Sequence, residues 1–339
     1  MKKVIKYILA AIAFFVLMQI WGYIRDSKFP NFTATSQVYV TDTTTVDGVI
    51  AQIKSNSGIR FEKSLRKVFE RKRVSEFMCP GHYTIEPSYS SVYVARMLNN
   101  AWQRPVRVTL SGSLRLKSEI ASKIGKKMLL DSATIHQALN DDAFLKKFGF
   151  NSQTVFALII PDTYEIYWDA SLEDLFALFK REYDKFWTSD RRAKASSLRL
   201  NPLQVSILAS IVRCESNYIP EYKDLAGVYV NRLRRGMKLQ ACPTVAFCYD
   251  FKLTRILNQH LKVDSPYNTY THKGLPPGPI CCPTKEALDA VLDANVTSGY
   301  LYFCASTTKS GQHLFSKTFK EHSRNAQTYR EKVLDRNKK

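Results

Sequence analysis

One acidic residue stands where a proton donor would be useful. From residue 201 onward the sequence predicts a helix: Asn201 is a candidate N-cap, Pro202 occupies the first helical position, and Leu203, Ile207, Leu208, Ile211 and Val212 form an apolar stripe. Glu215 comes four residues after Ile211 and seven after Leu208, so it projects from the end of that stripe. A carboxyl in such a place is partly desolvated, which disfavours its charged form and raises its pKa. It then keeps a proton near neutral pH and can give it to a reacting group. Arg213, two positions earlier, is basic, which leaves Glu215 as the only carboxylate of the segment.

The cysteines offer no comparable chemistry. Cys79, Cys214, Cys242, Cys248, Cys281, Cys282 and Cys304 are seven in number, so at least one thiol is free or pairs between chains. No CxxC pair occurs among them, which argues against a zinc site, and most are expected to be small buried hydrophobes. Fifty Lys and Arg against thirty Asp and Glu give a net charge of +20. Such a balance favours an anionic partner: nucleic acid, a membrane surface or an acidic cell wall. The densest basic run, residues 60–73, interleaves Phe61, Leu65, Val68 and Phe69 at helical spacing, and reads as the solvated face of an amphipathic helix.

The elements that position Glu215 begin at the amino terminus. Residues 7–24 read YILAAIAFFVLMQIWGYI, a charge-free run long enough to span a bilayer, with Trp21 and Tyr23 near its end. Lys2, Lys3 and Lys6 precede it and favour a cytoplasmic amino terminus, with the chain after Arg25 outside; Arg25 and Lys28 weaken that preference without reversing it. No A-x-A-like site follows, so an uncleaved anchor is expected rather than a signal peptide.

At 339 residues the chain has room for about two domains besides the anchor. The expected fold class is α+β, with an anchor in 1–28, a small module in 29–110, a connecting helical part in 111–200 and a catalytic core in 201–339. The module shows two strand-then-helix segments, 37–53 and 81–98. A strand at 105–110 and helices at 117–130, 132–139 and 172–187 follow, and the polar, basic stretch 189–200 is the candidate boundary. Past Glu215, a helix over 222–235 turns Leu225, Val228, Tyr229 and Leu233 inward and stops at Gly236. Gly274-Leu-Pro-Pro-Gly278 can join neither a helix nor a central strand, and this stiff loop either lines a site or makes a structural turn. A helix over 284–294, a strand over 300–305 and a helix from Phe319 complete the chain.

Several stretches in this region resemble the endolytic murein transglycosylase family, the MltG or YceG-like proteins. They are Ala209-Ser-Ile-Val-Arg-Cys-Glu215, Val230-Asn-Arg-Leu233, Met237-Lys-Leu-Gln240, Pro243-Thr-Val245, Tyr267-Asn-Thr-Tyr270, Gly274-Leu-Pro-Pro-Gly278, Tyr300-Leu-Tyr-Phe303 and His313-Leu-Phe315, with Pro161-Asp-Thr-Tyr164 upstream. The resemblance extends to the layout and implies that the small module is LysM-like. It also implies cleavage of the bond between N-acetylmuramic acid and N-acetylglucosamine in nascent strands, leaving a 1,6-anhydromuramyl end. Glu215 takes the catalytic position. Many relatives carry an acid at the place of Arg213 as well, and its absence here argues against that place being essential.

Ordinary glycosidases use two carboxyls. The resemblance implies a reaction that needs one, because the muramyl C6 hydroxyl attacks C1 in place of water and the 2-acetamido group can stabilise the developing charge. No metal or organic cofactor is implied. Asn231, Gln240, Thr244, Asn268 and Tyr270 are polar residues at motif positions, and several are expected to bond substrate N-acetyl or hydroxyl groups; the alternative for each is to satisfy buried backbone. His313 and His322 are expected to be structural. Glu215-Ser-Asn-Tyr218 also resembles the Glu-Ser signature of lysozyme-like transglycosylases, but the GLMQI-like segment that accompanies it is missing, which suggests convergence. The implied partners are peptidoglycan glycan strands and the inner membrane, with peptidoglycan synthases as further candidates. Two rivals remain: a non-catalytic wall-binding protein, and a nucleic-acid binder, which the exported topology and the lack of a basic-aromatic motif disfavour.

Overall fold

The computed structural model describes the backbone of residues 2–336 and the side chains of residues 3–332. Met1 and residues 337–339, the outer ends of the expected anchor and catalytic core, lie outside the described residues. The chain is mixed α+β and divides into two units. One holds the residues up to Arg107 with 127–129 and 165–170; the other holds 108–126, 130–164 and the chain from Ser171 on.

The first unit starts with α1 (Lys2–Lys28), apolar and solvent-exposed over most of its length, and long and apolar enough to cross a membrane. Its last turn is not a loose tether. Arg25 pairs with Asp26 at 2.9 Å and lies 5.0 Å over the Phe61 ring, and the Ser64 hydroxyl donates to Asp26. Strand β1 (Ser36–Val40) leads to α2 (Val46–Asn56), whose first turn is capped by the Thr45 hydroxyl. Helices α3 (Glu62–Arg71) and α4 (Val74–Phe77) follow, and α3 turns Leu65, Val68 and Phe69 inward with its basic residues outward, as the spacing predicts. Strand β2 (Gly81–Ile85) pairs antiparallel with β1, Val38 opposite Tyr83, and α5 (Ser91–Asn99) closes a core built on Ile50, Ile53, Leu65, Phe69, Tyr83 and Leu98.

Strand β3 (Val106–Thr109) precedes α6 (Lys117–Gly125), α7 (Ser132–Ala138), α8 (Asp142–Lys146) and α9 (Val155–Leu158), and pairs with β4 (Thr163–Ile166). Helices α10 (Leu172–Phe186) and α11 (Ser189–Ser197) come next. Here the structure departs from the expected boundary at 189–200. The polar, basic stretch is a helix that buries Ala195 and uses its charges as ties, Arg191 to Asp289 at 3.1 Å and Lys194 to Asp293 at 2.7 Å. A charge-rich surface helix and a linker share a composition; the acids that neutralise this one lie nearly a hundred residues later.

The centre of the second unit is α12 (Pro202–Glu215), in which every residue from Val205 to Val212 is buried. Asn201 and Gln204 close its first turn reciprocally, each side-chain oxygen accepting from the other's backbone N–H at 2.9 Å. Ser206 and Ser210 can lie inside because their hydroxyls donate to helix carbonyls, Pro202 O at 3.0 Å and Ile207 O at 2.7 Å. Around it stand α13 (Tyr222–Arg234), α14 (Cys242–Cys248) and α15 (Lys285–Leu292). The antiparallel hairpin β5 (Tyr302–Ala305) and β6 (His313–Ser316) and the final helix α16 (Phe319–Arg336) complete the unit.

The loop ending at Gly278 is a strap packed on α12 rather than an open site wall. The Ile280 N–H donates to Ser210 Oγ at 3.0 Å, and Pro276 and residues 278–282 are buried. A Cβ on Gly278 would overlap the Gln153 carbonyl, so only glycine lets the two backbones meet. Gly278→Ala should therefore destabilise the protein by about 1–3 kcal/mol, read as a lowered midpoint in chemical unfolding; an unchanged midpoint would show that the strap can move aside.

Candidate active site

Glu215 is the last residue of α12, where the helix leaves the core. Its carboxyl is partly buried, and Oε1 accepts a 2.6 Å hydrogen bond from the Tyr229 hydroxyl on α13. Burial pushes the carboxyl up to about 7, against the smaller opposing pulls of that hydrogen bond and of the Arg232 charge. The carbonyl end of α12 carries partial negative charge, which also disfavours the carboxylate. The group is thus placed to hold its proton at neutral pH and to lose it readily. Burial and the Glu215 charge in turn hold the Tyr229 hydroxyl well above its usual range, so it stays a donor. Sequence spacing turned Tyr229 inward without revealing this partnership.

The five polar motif residues divide. Asn231 is buried, and its Nδ2 donates to the carbonyls of Val296 and Tyr300, both at 3.2 Å. Thr244 is fully buried, with its hydroxyl on Ala241 O at 2.7 Å and beside Thr269 Oγ1 at 2.9 Å. Asn268 is fully buried as well, donating to Leu261 O at 3.0 Å and Val263 O at 2.8 Å and accepting from the Tyr270 N–H at 3.0 Å. All three side chains are buried and hydrogen-bond mainly to backbone, the structural alternative to the substrate contact expected of them.

Gln240 and Tyr270 are the two with more open side chains, although Gln240 Oε1 accepts from Arg232 at 3.3 Å. Gln240 is exposed, at φ +53°, its N–H held by Thr269 O at 3.1 Å. Tyr270 is half-buried, with its hydroxyl 3.0 Å from Cys242 Sγ. Burial raises the Tyr270 hydroxyl's pKa, with added pressure from Cys242 and from the Glu215 charge, which places it in the same electrostatic neighbourhood. Arg232, passed over by the sequence reading, is buried and reaches Leu301 O at 2.7 Å and Leu239 O at 2.8 Å. It ties α13 to the segment entering β5 and to the segment carrying Gln240. Arg213 turns to Asn217 at 2.8 Å and Ser113 at 3.3 Å.

A cavity of about 460 Å³ opens at Glu215. Ser216 and Asn217 line it beside Glu215, together with Ala305 at the end of β5, residues 306–308 and 310–312 of the β5–β6 turn, His313, Tyr329 and Lys332. His313 is more than a filler. Its backbone N–H donates to Glu221 Oε2 at 3.0 Å and its Nδ1 lies 2.8 Å from Glu221 Oε1, with Glu221 itself buried. His322 stacks on Tyr302 at 5.4 Å, a packing role. Cys214 and Cys281 are free thiols 3.5 Å apart behind Glu215. Among the described residues no cluster of His, Cys, Asp and Glu could hold a metal ion.

The structure thus sets one partly buried carboxyl beside a polar cavity on a mixed α+β scaffold. The chain belongs to the YceG-like family, whose sequence profile matches residues 38–328. It is 27% identical over 321 residues to a Bacillus subtilis protein described as an endolytic murein transglycosylase, covering 90% of this chain and 86% of that one. A Streptococcus pneumoniae protein of the same description is 28% identical over 176 residues, 49% of this chain and 31% of that longer one. The crystal structure of a YceG-like protein from Listeria monocytogenes superposes with a TM-score of 0.54 at 23% identity, covering 86% of this chain and 98% of that one, so the fold is shared.

Because the Tyr229 hydroxyl favours the ionised form of Glu215, Tyr229→Phe should raise the carboxyl's pKa further. A hydrogen bond to a charged group contributes about 1.5–3 kcal/mol, roughly one to two pH units. The alkaline limb of the pH–turnover profile should move up by that amount; a limb that stays put or moves down would show that Tyr229 does not tune the acid.

Proposed function

We propose that this protein is an endolytic lytic transglycosylase that cuts the MurNAc–GlcNAc bond of nascent peptidoglycan strands, leaves a 1,6-anhydroMurNAc end and so terminates strand elongation. The observation that carries this reading is one partly buried carboxyl lining a polar cavity of about 460 Å³, with burial pushing its pKa up to about 7. Glu215 donates its proton to the leaving oxygen, the muramyl C6 hydroxyl closes on C1, and the resulting carboxylate is the default acceptor for the C6 proton. Gln240 and Tyr270 are the substrate contacts in this scheme. Thr244 and Asn268 serve it by fixing the segments that carry them, and Asn231 by holding residues 296–300 against α13.

Further parts of the reading follow from the first unit. Helix α1 serves as an uncleaved inner-membrane anchor with the rest of the chain on the outer side, a topology supported by Lys2, Lys3 and Lys6 before the apolar run. Two antiparallel strands, β1 and β2, joined through α2, α3 and the short α4 support a LysM-like glycan-holding module. Tyr39, exposed on β1 and stacked on His82 at 4.6 Å, offers such a module an aromatic face. Acting on nascent strands would bring the enzyme beside the peptidoglycan synthases that extend them.

Glu215→Gln should keep the fold and glycan binding but lose about a hundredfold to ten-thousandfold in turnover, since an amide neither gives nor takes that proton. The wild-type product should be lighter than a hydrolytic reducing end by one water in mass spectrometry. A hydrated end would mean an ordinary hydrolase, and near-normal turnover in the variant would remove Glu215 from the chemistry.

The same substitution has a stability signature. The folded carboxyl keeps its proton up to about 7 whereas an unperturbed one releases it near 4.5. Stability from that protonation is full below about 4.5 and is lost as pH rises through 7. Relative to wild type, Glu215→Gln should therefore gain up to roughly 3 kcal/mol between pH 5 and pH 8 in denaturant titrations. A pH-independent difference would contradict the burial of the charge.

A further inference from the structure

The proposed scheme leaves one carboxyl with two opposite tasks. Glu215 must release a proton to the leaving oxygen and, in the same passage, attract one from the C6 hydroxyl. Its Oε1 is already occupied by the Tyr229 hydroxyl at 2.6 Å, which leaves a single oxygen for both transfers. The cavity holds another group suited to the second task. His313 lines it together with Glu215, and its side chain is 16% exposed. Buried Glu221 grips it twice, accepting the backbone N–H at 3.0 Å and facing Nδ1 at 2.8 Å. A carboxylate opposite Nδ1 fixes the proton there, and the tautomer that follows has a free lone pair on Nε2. Among the described residues Nε2 has no hydrogen-bond partner. The edge of the Phe303 ring, centred 5.1 Å from the imidazole, limits its rotation and also packs against Tyr229 at 6.0 Å, so both halves of the site share one wall.

We infer that His313 is a second catalytic residue, whose Nε2 accepts the proton of the attacking muramyl C6 hydroxyl, with Glu221 as its positioning residue. This rests on the transglycosylase reading given above. In the step, the C6 oxygen forms a bond to C1 as its proton passes to Nε2. The C1–oxygen bond to the next sugar breaks, and its electron pair leaves with that oxygen, which takes the Glu215 proton. The imidazolium, steadied by the Glu221 carboxylate, then returns its proton to the Glu215 carboxylate, and the enzyme is restored without consuming water. Each group thereby works in one direction during the chemical step.

His313→Asn is the informative change, because the asparagine amide can still donate towards Glu221 from nearly the position of Nδ1 while Nε2 is removed. In the full-length protein in detergent, acting on isolated glycan strands, kcat should fall by about a hundredfold or more while KM changes little. Added imidazole should restore part of the turnover of His313→Asn and His313→Ala and none of that of Glu215→Gln. Glu221→Gln should lower kcat in the same sense, since an amide no longer fixes the tautomer. Turnover of His313→Asn within about threefold of wild type, or a loss in both His313 variants that imidazole leaves untouched, overturns the assignment. The product separates this from the reading beneath it: a hydrated reducing end from wild-type enzyme sinks the transglycosylase reading, whereas anhydro ends with an undiminished His313→Asn sink only the role of His313.

Discussion

The second unit is organised around a carboxyl that must sit at the edge of an apolar core. Helix α12 is buried on all sides through its middle, so its end carries Glu215 straight from the core to the cavity. Water cannot surround the carboxylate there, the helix terminus adds partial negative charge, and among the described residues the one hydrogen-bond donor to it is a neutral tyrosine. A longer helix would bury the acid outright and a shorter one would leave it in solvent at an ordinary carboxylate pKa. The strap over Ser210 and the flanking helices hold that depth constant.

The polar motif residues mostly serve this placement from behind. Asn231 and Arg232 reach carbonyls of the 296–301 segment, which holds the segment leading into β5 against α13. Thr244, Thr269 and Asn268 lock residues 239–244 onto 268–271, and this lock presents Gln240 and Tyr270. Buried side chains that satisfy irregular backbone are costly to replace, because a lost partner strands a carbonyl or an N–H away from water. Such residues hold in place the segments around Glu215.

Much of this was legible in the sequence where the signal is local. Asn201, Pro202 and the stripe down to Val212 mark α12 and place Glu215 at its end; Gly236 marks the stop after α13; Leu65, Val68 and Phe69 mark the inner face of α3. What escaped depends on residues far apart in the chain. Nothing near Tyr229 announces that its hydroxyl meets a carboxyl fourteen positions earlier, and Glu221 and His313 meet across 92 positions. The same distance hid the nature of α11, whose charges read as a linker until Asp289 and Asp293 come alongside. The Gly274–Gly278 loop was open to two readings, and only its burial against Gln153 and Ser210 decides for the structural one.

The chemistry proposed for the cavity therefore turns on the protonation state of one side chain. A direct check is the pH titration of the Glu215 side-chain carbonyl by carbon-13 NMR, in protein labelled at glutamate and assigned by comparison with Glu215→Gln. Burial against the end of α12 predicts a midpoint near 7, well above the ordinary 4.5. A midpoint at or below the ordinary value would mean that the carboxyl is ionised at neutral pH, and Glu215 could not then be the proton donor.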